Sequence, residues 1–273
     1  MNPISVFIPV LNEADKIADA VQSVLWADEI LVIDTGCTDD TIDIARRLGC
    51  RIETLPFEGF GRLRNQAVAL CSHEWVLSID ADEQCTEKLT QEISATLKAG
   101  PECDAYFIPR RNYFMGREIR HCGWYPDYCQ PKLFKKGGMT YRDDMVHEGF
   151  DIHGHLGYLK SDVLHYSFRD LDQVIQKMNR YSTLGMQKME QQGKQASMAS
   201  AVLRGLWAFV RIYVLKLGFL DGWAGFVIAL GNFEGTFYRY AKLAQRQKSA
   251  REVDSPTTRV KGKASDHQGS SKS

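Results

Sequence analysis

Apolar and polar positions alternate between two periods over the first hundred residues. Ile4 to Val10 is a short, almost unbroken apolar run, the pattern of a strand buried on both faces. From about Asp15 to Leu25 the apolar positions Ile17, Val21, Val24 and Leu25 fall on one face of a predicted helix. Glu29 to Asp34 reads as a second strand, Arg51 to Leu55 as a third and Trp75 to Ile79 as a fourth. Between them, Thr38 is placed to cap a helix carrying Ile42, Ala45 and Leu48 that Gly49 stops, and a further helix spans roughly Arg62 to Leu70. Strand–helix alternation at this spacing predicts an α/β fold, a mostly parallel sheet flanked by helices.

The pattern changes beyond residue 100. Ala105 to Arg110 reads as one more strand. Residues 111–165 are rich in Gly, Tyr, His and Arg, with only short strand candidates at Lys132–Lys135 and Tyr158–Lys160. Residues 101–168 are therefore expected to form acceptor-facing loops and a small mixed sheet of the same domain as residues 1–100. A helical extension is expected over 169–242, beginning with Leu171, Val174, Ile175, Met178 and Tyr181 on one face, and a disordered tail over 243–273.

The most apolar stretch, Val202 to Phe233, is interrupted by Arg204, Arg211, Lys216 and Asp221, and by Gly218, Gly222 and Gly225. No uninterrupted apolar run reaches the roughly 18–20 residues of a spanning helix. Two readings remain: a pair of helices buried against the catalytic domain, or a segment lying in the bilayer interface with its arginines and tryptophans at headgroup level. The second is the expectation taken forward.

Composition narrows the classes of function. The 273 residues are 44% hydrophobic and 25% charged, ordinary for a folded chain with a sizeable core. Lys and Arg balance Asp and Glu at 34 each, so no global field points to nucleic acid, and no nucleic-acid partner is expected. The seven cysteines are scattered, with neither a C-x-x-C pair nor zinc-ligand spacing. A strand beginning at residue 4 leaves no room for a leader, and reduced thiols in the cytoplasm are the simplest expectation.

In an open parallel sheet, ligands bind beyond the carboxyl ends of the strands. The first strand ends in Pro9-Val10-Leu11-Asn12-Glu13, the second in Asp34-Thr35-Gly36 and the fourth in Asp80-Ala81-Asp82-Glu83. Helix capping accounts for Asn12 or Thr38 taken singly, but not easily for three acidic ends on one sheet edge. Two residues apart in an extended segment, Asp80 and Asp82 project to one side, where they can grip a divalent cation, Mg or Mn, that also binds two phosphate oxygens. Asp170-Leu171-Asp172 has the same spacing, but it stands where a helix begins and reads as capping.

In order, FIPVLNE, LVIDTGCTDDT, GRLRNQA and WVLSIDADE resemble the family 2 glycosyltransferases of GT-A fold, over about the first 85 residues. The resemblance implies that Pro9 and Glu13 border the nucleotide of a UDP-sugar, and that Asp34 accepts a hydrogen bond from uracil N3–H. It also implies Arg64 near the base or diphosphate, Asp80 on the ribose and assisting the metal, and Asp82 as the direct metal ligand. Cys37 departs from the Ser more usual there. Further on, RNYFMGREIRHCGWYPD, KLF, VHEGF and GFLDGWAGF resemble the lipopolysaccharide inner-core β-1,4-glucosyltransferase subgroup, which transfers glucose to heptose. Lys132 stands where that subgroup usually has Arg, and can still neutralise phosphate, though without a bidentate fork.

An inverting transfer needs a base for the acceptor hydroxyl. Asp127 in Gly-Trp-Tyr-Pro-Asp is the first candidate, with Trp124 and Tyr125 beside it as sugar-stacking rings; Glu148 in Val-His-Glu is the second and Glu83 the third. An Asx-type turn after Pro126 accounts for Asp127 equally well, and His147 reads as structural. His153, His155 and His121 lack a third ligand at metal spacing. The expected partners are thus a UDP-sugar, a lipopolysaccharide core or other glycolipid acceptor, and the inner face of the cytoplasmic membrane. Rival readings are transfer to polyprenyl phosphate or protein, and a non-catalytic sugar-nucleotide-binding protein. A nucleotidyltransferase would want a Gly-rich loop where this chain has LNEADK.

Overall fold

A computed structural model describes residues 2–143 and 149–253. They fall into two compact units, Met1–Asp170 and Leu171–Ser273.

The first unit begins with β1 (Ile4–Val10), α1 (Ile17–Gln22), β2 (Glu29–Asp34), α2 (Thr41–Arg47), β3 (Arg51–Thr54), α3 (Phe60–Leu70) and β4 (Trp75–Ser78). It continues with β5 (Glu83–Cys85), α4 (Glu87–Ala99), β6 (Ala105–Phe107), β7 (Arg110–Phe114) and β8 (Arg117–Glu118). Five strands close it: β9 (Pro131–Lys135), β10 (Met139–Tyr141), β11 (Phe150–Ile152), β12 (Leu156–Tyr158) and β13 (Val163–Phe168). The main sheet has the order β12-β6-β9-β4-β1-β2-β3 and is parallel except where β9 runs against β4 and β6. Successive β1 residues face opposite layers. Val6 and Ile8 join a buried cluster with Val32 and Leu77, while Phe7 joins another with Leu31, Val76 and Leu63 of α3. This two-sided burial is why the strand sequences are continuously apolar.

At the opposite edge from the strand tips, Glu29 ties three strands together. It accepts from Ser5 Oγ (2.5 Å), Ser72 N (2.7 Å), Ser72 Oγ (2.7 Å) and Arg51 Nη1 (3.0 Å). Burial works against its charge, but those donors outweigh burial and hold its carboxyl down at about 2.

Several expectations shift. The helix expected from Asp15 to Leu25 is cut to Ile17–Gln22. Thr38 does not cap α2: its N–H is taken by Asn12 Oδ1 (2.8 Å), and the helix opens at Thr41 after Asp40. The single strand expected over Ala105–Arg110 is two strands in different sheets, broken at Ile108-Pro109, where proline has no N–H for a ladder. Residues 101–168 contribute β6, β9 and β12 to the main sheet, and β7, β8 and β13 join β5 in a mixed sheet of order β5-β13-β7-β8.

The second unit comprises α5 (Leu171–Gln191), α6 (Met198–Val210), a π-helical turn (Arg211–Leu215), a 3-10 turn (Gly218–Asp221) and α7 (Gly222–Val253). Ser197 and Ser200 form a reciprocal capping box that starts α6. The helices α6 and α7 form a hairpin: Gly205 lies against Phe233, and the Phe209 and Tyr213 rings sit 5.9 and 5.8 Å from that of Phe226. At the tip, a Cβ on Gly225 would come within 1.8 Å of the Gly218 carbonyl oxygen, so only glycine fits. On α5 the predicted stripe divides. Val174 and Met178 face Gly231 and Gly235 of α7, whereas Leu171, Ile175 and Tyr181 are exposed.

The tail expected from residue 243 also needs correction, because α7 runs on to Val253. Leu243 is buried with Met186 and Met189, Arg246 pairs with Glu190 at 3.1 Å, and Gln247 bonds Ala196 N and Lys194 O. Residues 254–273 lie outside the described residues.

Candidate active site

The tips of β2, β1 and β4 lie side by side, because β1 pairs in parallel with both neighbours, Val10 opposite Asp34 and Phe7 opposite Ser78. Asp34, Glu13, Asp80 and Asp82 are thereby gathered at one sheet edge, as expected. Pro9 is in β1 opposite Ile33, one residue before that tip.

Past β1 the backbone of Asn12 turns left-handed (φ 56°), which brings its side chain onto the following loop. Its Oδ1 accepts from Thr38 N, while Glu13 N donates to Thr41 Oγ1 at 2.8 Å. Burial, the largest influence, together with the nearby charge of Asp82, raises the Glu13 carboxyl above its ordinary range against the pull of Lys16 at 3.3 Å. Asp34 Oδ1 accepts from the backbone N–H groups of Gly36 (2.9 Å) and Cys37 (2.8 Å). Burial opposes its charge, but these two donors prevail and hold it below the usual carboxylate range. The Cys37 thiol adds a third hydrogen bond to the same carboxylate.

Asp80 and Asp82 have opposite surroundings. Asp80 Oδ1 receives Arg64 Nη2 at 2.7 Å, and its Oδ2 lies 3.6 Å from Lys132 Nζ. Burial resists ionisation there, but Arg64 and Lys132 overcome it and keep the carboxyl far below its ordinary value. Arg64 is itself buried and donates its other terminal nitrogen to Ser78 Oγ (2.9 Å). Lys132 is fully buried against Glu83 Oε2 at 2.6 Å, so its ammonium serves this cluster, contrary to the phosphate role expected for it. Despite burial, Glu83 and Asp80 raise the Lys132 pKa and keep it charged. Glu83, the third candidate base, is fully buried and also accepts from Asp80 N at 3.0 Å, which places it in support of the strand tip.

Asp82 faces a residue that sequence reading missed. His165 Nε2 is 3.4 Å from Asp82 Oδ2, and its Nδ1 is 2.6 Å from Asn112 Oδ1. The Asn112 amide is oriented by its Nδ2, which donates to Trp124 O (2.8 Å) and lies 3.4 Å from Asp127 Oδ2. Its oxygen is thus the acceptor, and Nδ1 carries the imidazole proton. The Nε2 lone pair and the Asp82 oxygen then face each other, an arrangement that a cation between them would satisfy.

Among the described residues, no three His, Cys, Asp or Glu side chains form a ready-made cation cage. One carboxylate and one imidazole fit a cation shared with a diphosphate, since Mg and its relatives are commonly held by one or two carboxylates and substrate phosphates. A cleft of about 270 Å³, lined by Lys16, Asp19, Asp82, Gln84 and Tyr166, opens beside them.

Asp127 is reached through the same network. Arg110 donates to its Oδ2 from Nε (3.0 Å) and Nη2 (2.5 Å), and Arg110 N bonds its carbonyl (3.0 Å). Burial works against the Arg110 charge, but Glu83 and Asp127 hold it firmly protonated. The Asp127 contacts all engage Oδ2. Trp124 is packed edge-on against Phe114, while the exposed Tyr125 bonds Asp162 through its hydroxyl (3.1 Å) below the Arg111 guanidinium. Glu148 and His147 lie outside the described residues.

The sequence profile described as glycosyl transferase family 2 matches residues 5–165, which include every strand tip and His165. An uncharacterized glycosyltransferase of Rickettsia prowazekii is 28% identical over 265 residues, covering 89% of this chain and 87% of its own. A lipopolysaccharide core biosynthesis glycosyltransferase of Rhizobium meliloti is 28% identical over 255 residues, 89% of this chain and 93% of its own. Glucosyl-3-phosphoglycerate synthase of Mycobacterium tuberculosis, solved with Mn2+, uridine diphosphate and glucosyl-3-phosphoglycerate, is 28% identical over 42% of this chain and 45% of its own. Its TM-score of 0.33 is too loose to bear on ligands. With acidic strand tips on a mostly parallel GT-A sheet and a profile match over more than half its length, this chain is an enzyme of glycosyl transferase family 2.

Proposed function

We propose that the enzyme transfers a hexose, glucose first among candidates, from a UDP-sugar to an inner-core heptose of lipopolysaccharide, with inversion, at the cytoplasmic face of the inner membrane. The observation that carries this reading is the contrast at the β4 tip. Asp80 is neutralised by Arg64 and Lys132, whereas Asp82, which lines the cleft, faces only the imidazole Nε2 of His165 at 3.4 Å among the described residues. The lipopolysaccharide acceptor draws support from the Rhizobium relative, and the exposed Tyr125 beside Asp127 offers a ring for sugar stacking.

In this reading Asp34 takes the uracil N3–H on its carboxylate, and Pro9 and Glu13 line the nucleotide. Asp80 accepts from the ribose, held ionised and oriented by Arg64. Asp82 and His165 would hold a divalent cation, which when bound offsets charge on the departing diphosphate. Asp127 takes the proton of the acceptor hydroxyl through Oδ1, while Arg110 fixes Oδ2 and restrains the carboxylate. Asn112 joins the two halves by contacting both His165 and Asp127.

The test uses the full chain with a panel of UDP-sugars, Mn2+ or Mg2+, and truncated core lipopolysaccharides ending in heptose. The expected result is UDP release with a mass gain of one hexose on the acceptor, abolished by EDTA and restored by Mn2+. UDP binding with no transfer from any donor would establish a non-catalytic binder. Transfer to polyprenyl phosphate or protein, and none to the core, would overturn the acceptor.

A further inference from the structure

The α6–α7 hairpin has its small residues inside and its large apolar residues outside. Ala201, Gly205 and Ala208 face α7 and are buried, while Leu203 (68% exposed), Leu206, Trp207 (59%), Val210 and Val214 form the outer stripe of α6 and the π turn. The stripe continues over the tip through Leu215 (59%), Leu217, Phe219 and Leu220, and returns along α7 through Phe226 and Leu230. The hairpin is already closed on itself through Gly205–Phe233 and Gly225–Gly218, so these side chains are not displaced core residues. Such a continuous apolar surface marks an interaction site.

Charge selects the occupant. Between Val202 and Leu230 the charged residues are Arg204, Arg211, Lys216 and Asp221; the three cations are exposed and the single acid is buried. Exposed aliphatics, tryptophan and cations on one hairpin match an interface of acyl chains beneath anionic headgroups. We infer that the α6–α7 hairpin is a monotopic anchor that lies in the headgroup region of an anionic bilayer, with its outer apolar stripe inserted and Arg211 and Lys216 on the phosphates. This deepens the reading above, which places the acceptor on a lipid, but it does not depend on the donor or on catalysis.

A spanning helix is the rival geometry. Met198–Leu215 is long and apolar enough, by length and composition alone, to cross a membrane. Arg204 and Arg211 lie within it, however, and the 3-10 turn follows directly and sends the chain back along α7. In the interfacial geometry Arg211 reaches headgroups by extending its side chain, while the Arg204 charge is met by the Tyr240 ring 4.9 Å away.

The test is flotation of the purified full chain with vesicles of phosphatidylcholine alone or with about 40% phosphatidylglycerol added to supply anionic headgroups. The protein should float at least about fivefold more with the anionic vesicles, the excess should fall in high salt, and alkaline carbonate should release it. The combined variant Leu203→Ser, Trp207→Ser, Leu215→Ser and Leu220→Ser should lose flotation by about tenfold while keeping its helical circular dichroism. Arg211→Glu with Lys216→Glu should remove only the salt-sensitive part. UDP–Mn2+ affinity is measured in every variant, so loss of the glycosyltransferase reading registers separately. Absence of flotation on every vesicle would overturn the anchor. Resistance to carbonate would establish a spanning helix in its place, and a concentration-dependent dimer abolished by the serine variant would give the surface to a second copy.

Discussion

In Met1–Asp170 several charged side chains are buried in matched pairs; in the hairpin that follows, the buried positions are small or apolar apart from Asp221, and many large apolar side chains face outward. Lys132 and Glu83 are fully enclosed and Arg64 nearly so, yet each has an opposite charge or acceptor within about 3 Å. The hairpin interior buries Ala201, Gly205, Ala224 and Gly225, with Gly205 against the Phe233 ring and Gly225 against the Gly218 carbonyl. The two regions are specified differently. The first depends on geometry and charge matched group by group, so loss of one partner strands another in a low-dielectric interior. The second depends on close packing of its inner face, and its outer face is free to vary in shape provided it stays apolar.

The largest expected effect lies at the network's reactive end. Asp127→Asn should lower turnover by roughly 10²- to 10⁴-fold with UDP–Mn2+ affinity unchanged, measured by steady-state transfer and calorimetry. Near-normal turnover would move the base to Glu148. Next comes the buried ion pair. Lys132→Met should destabilise the chain by roughly 3–5 kcal/mol in denaturant unfolding, because Glu83 and Asp80 lose their cation, and adding Glu83→Gln should recover part of it. The comparison itself is read from two leucine truncations. Leu77→Ala, in the β4 core, should cost roughly 2–5 kcal/mol, whereas Leu220→Ala on the outer hairpin should stay within about 0.5 kcal/mol in the absence of lipid. Equal costs would mean that the hairpin's outer face is packed in the free protein.

The last effect is pH-dependent. Glu29 is lowered on folding from 4.5 to about 2, so its stabilisation is complete above about pH 4.5 and is lost as pH falls through 2. Glu29→Gln should therefore cost roughly 2 kcal/mol at pH 7 and progressively less in acid, with the two unfolding curves converging near pH 2.

What the sequence made legible follows from how local each signal is. Strands β1, β2 and β4 announce themselves as apolar runs because both faces are buried, and Asp34, Asp80 and Asp82 follow directly from where those runs end. His165 does not. It meets Asp82 only because β13 pairs antiparallel to β5, with His165 opposite Glu83, and parallel to β7, with His165 opposite Asn112. No periodicity within VLHYSF encodes either register; the one available cue was a lone histidine in an otherwise strand-like run. Arg110 escaped for the same reason, since the break at Pro109 that moves it to the second sheet was read through as continuous strand. The extent of α7 was missed because its last turns are held by Leu243, Arg246 and Gln247 against partners about fifty residues earlier.

The left-handed Asn12 has an energetic consequence for any ligand that docks at the β1 tip. By hooking Thr38, with Glu13 fastened to Thr41 beside it, that residue ties two loops into one rigid rim before a guest arrives. Association there need not be charged for freezing the rim, so more of the contact free energy survives as affinity. Cutting the hook should leave the chemistry intact and weaken the grip.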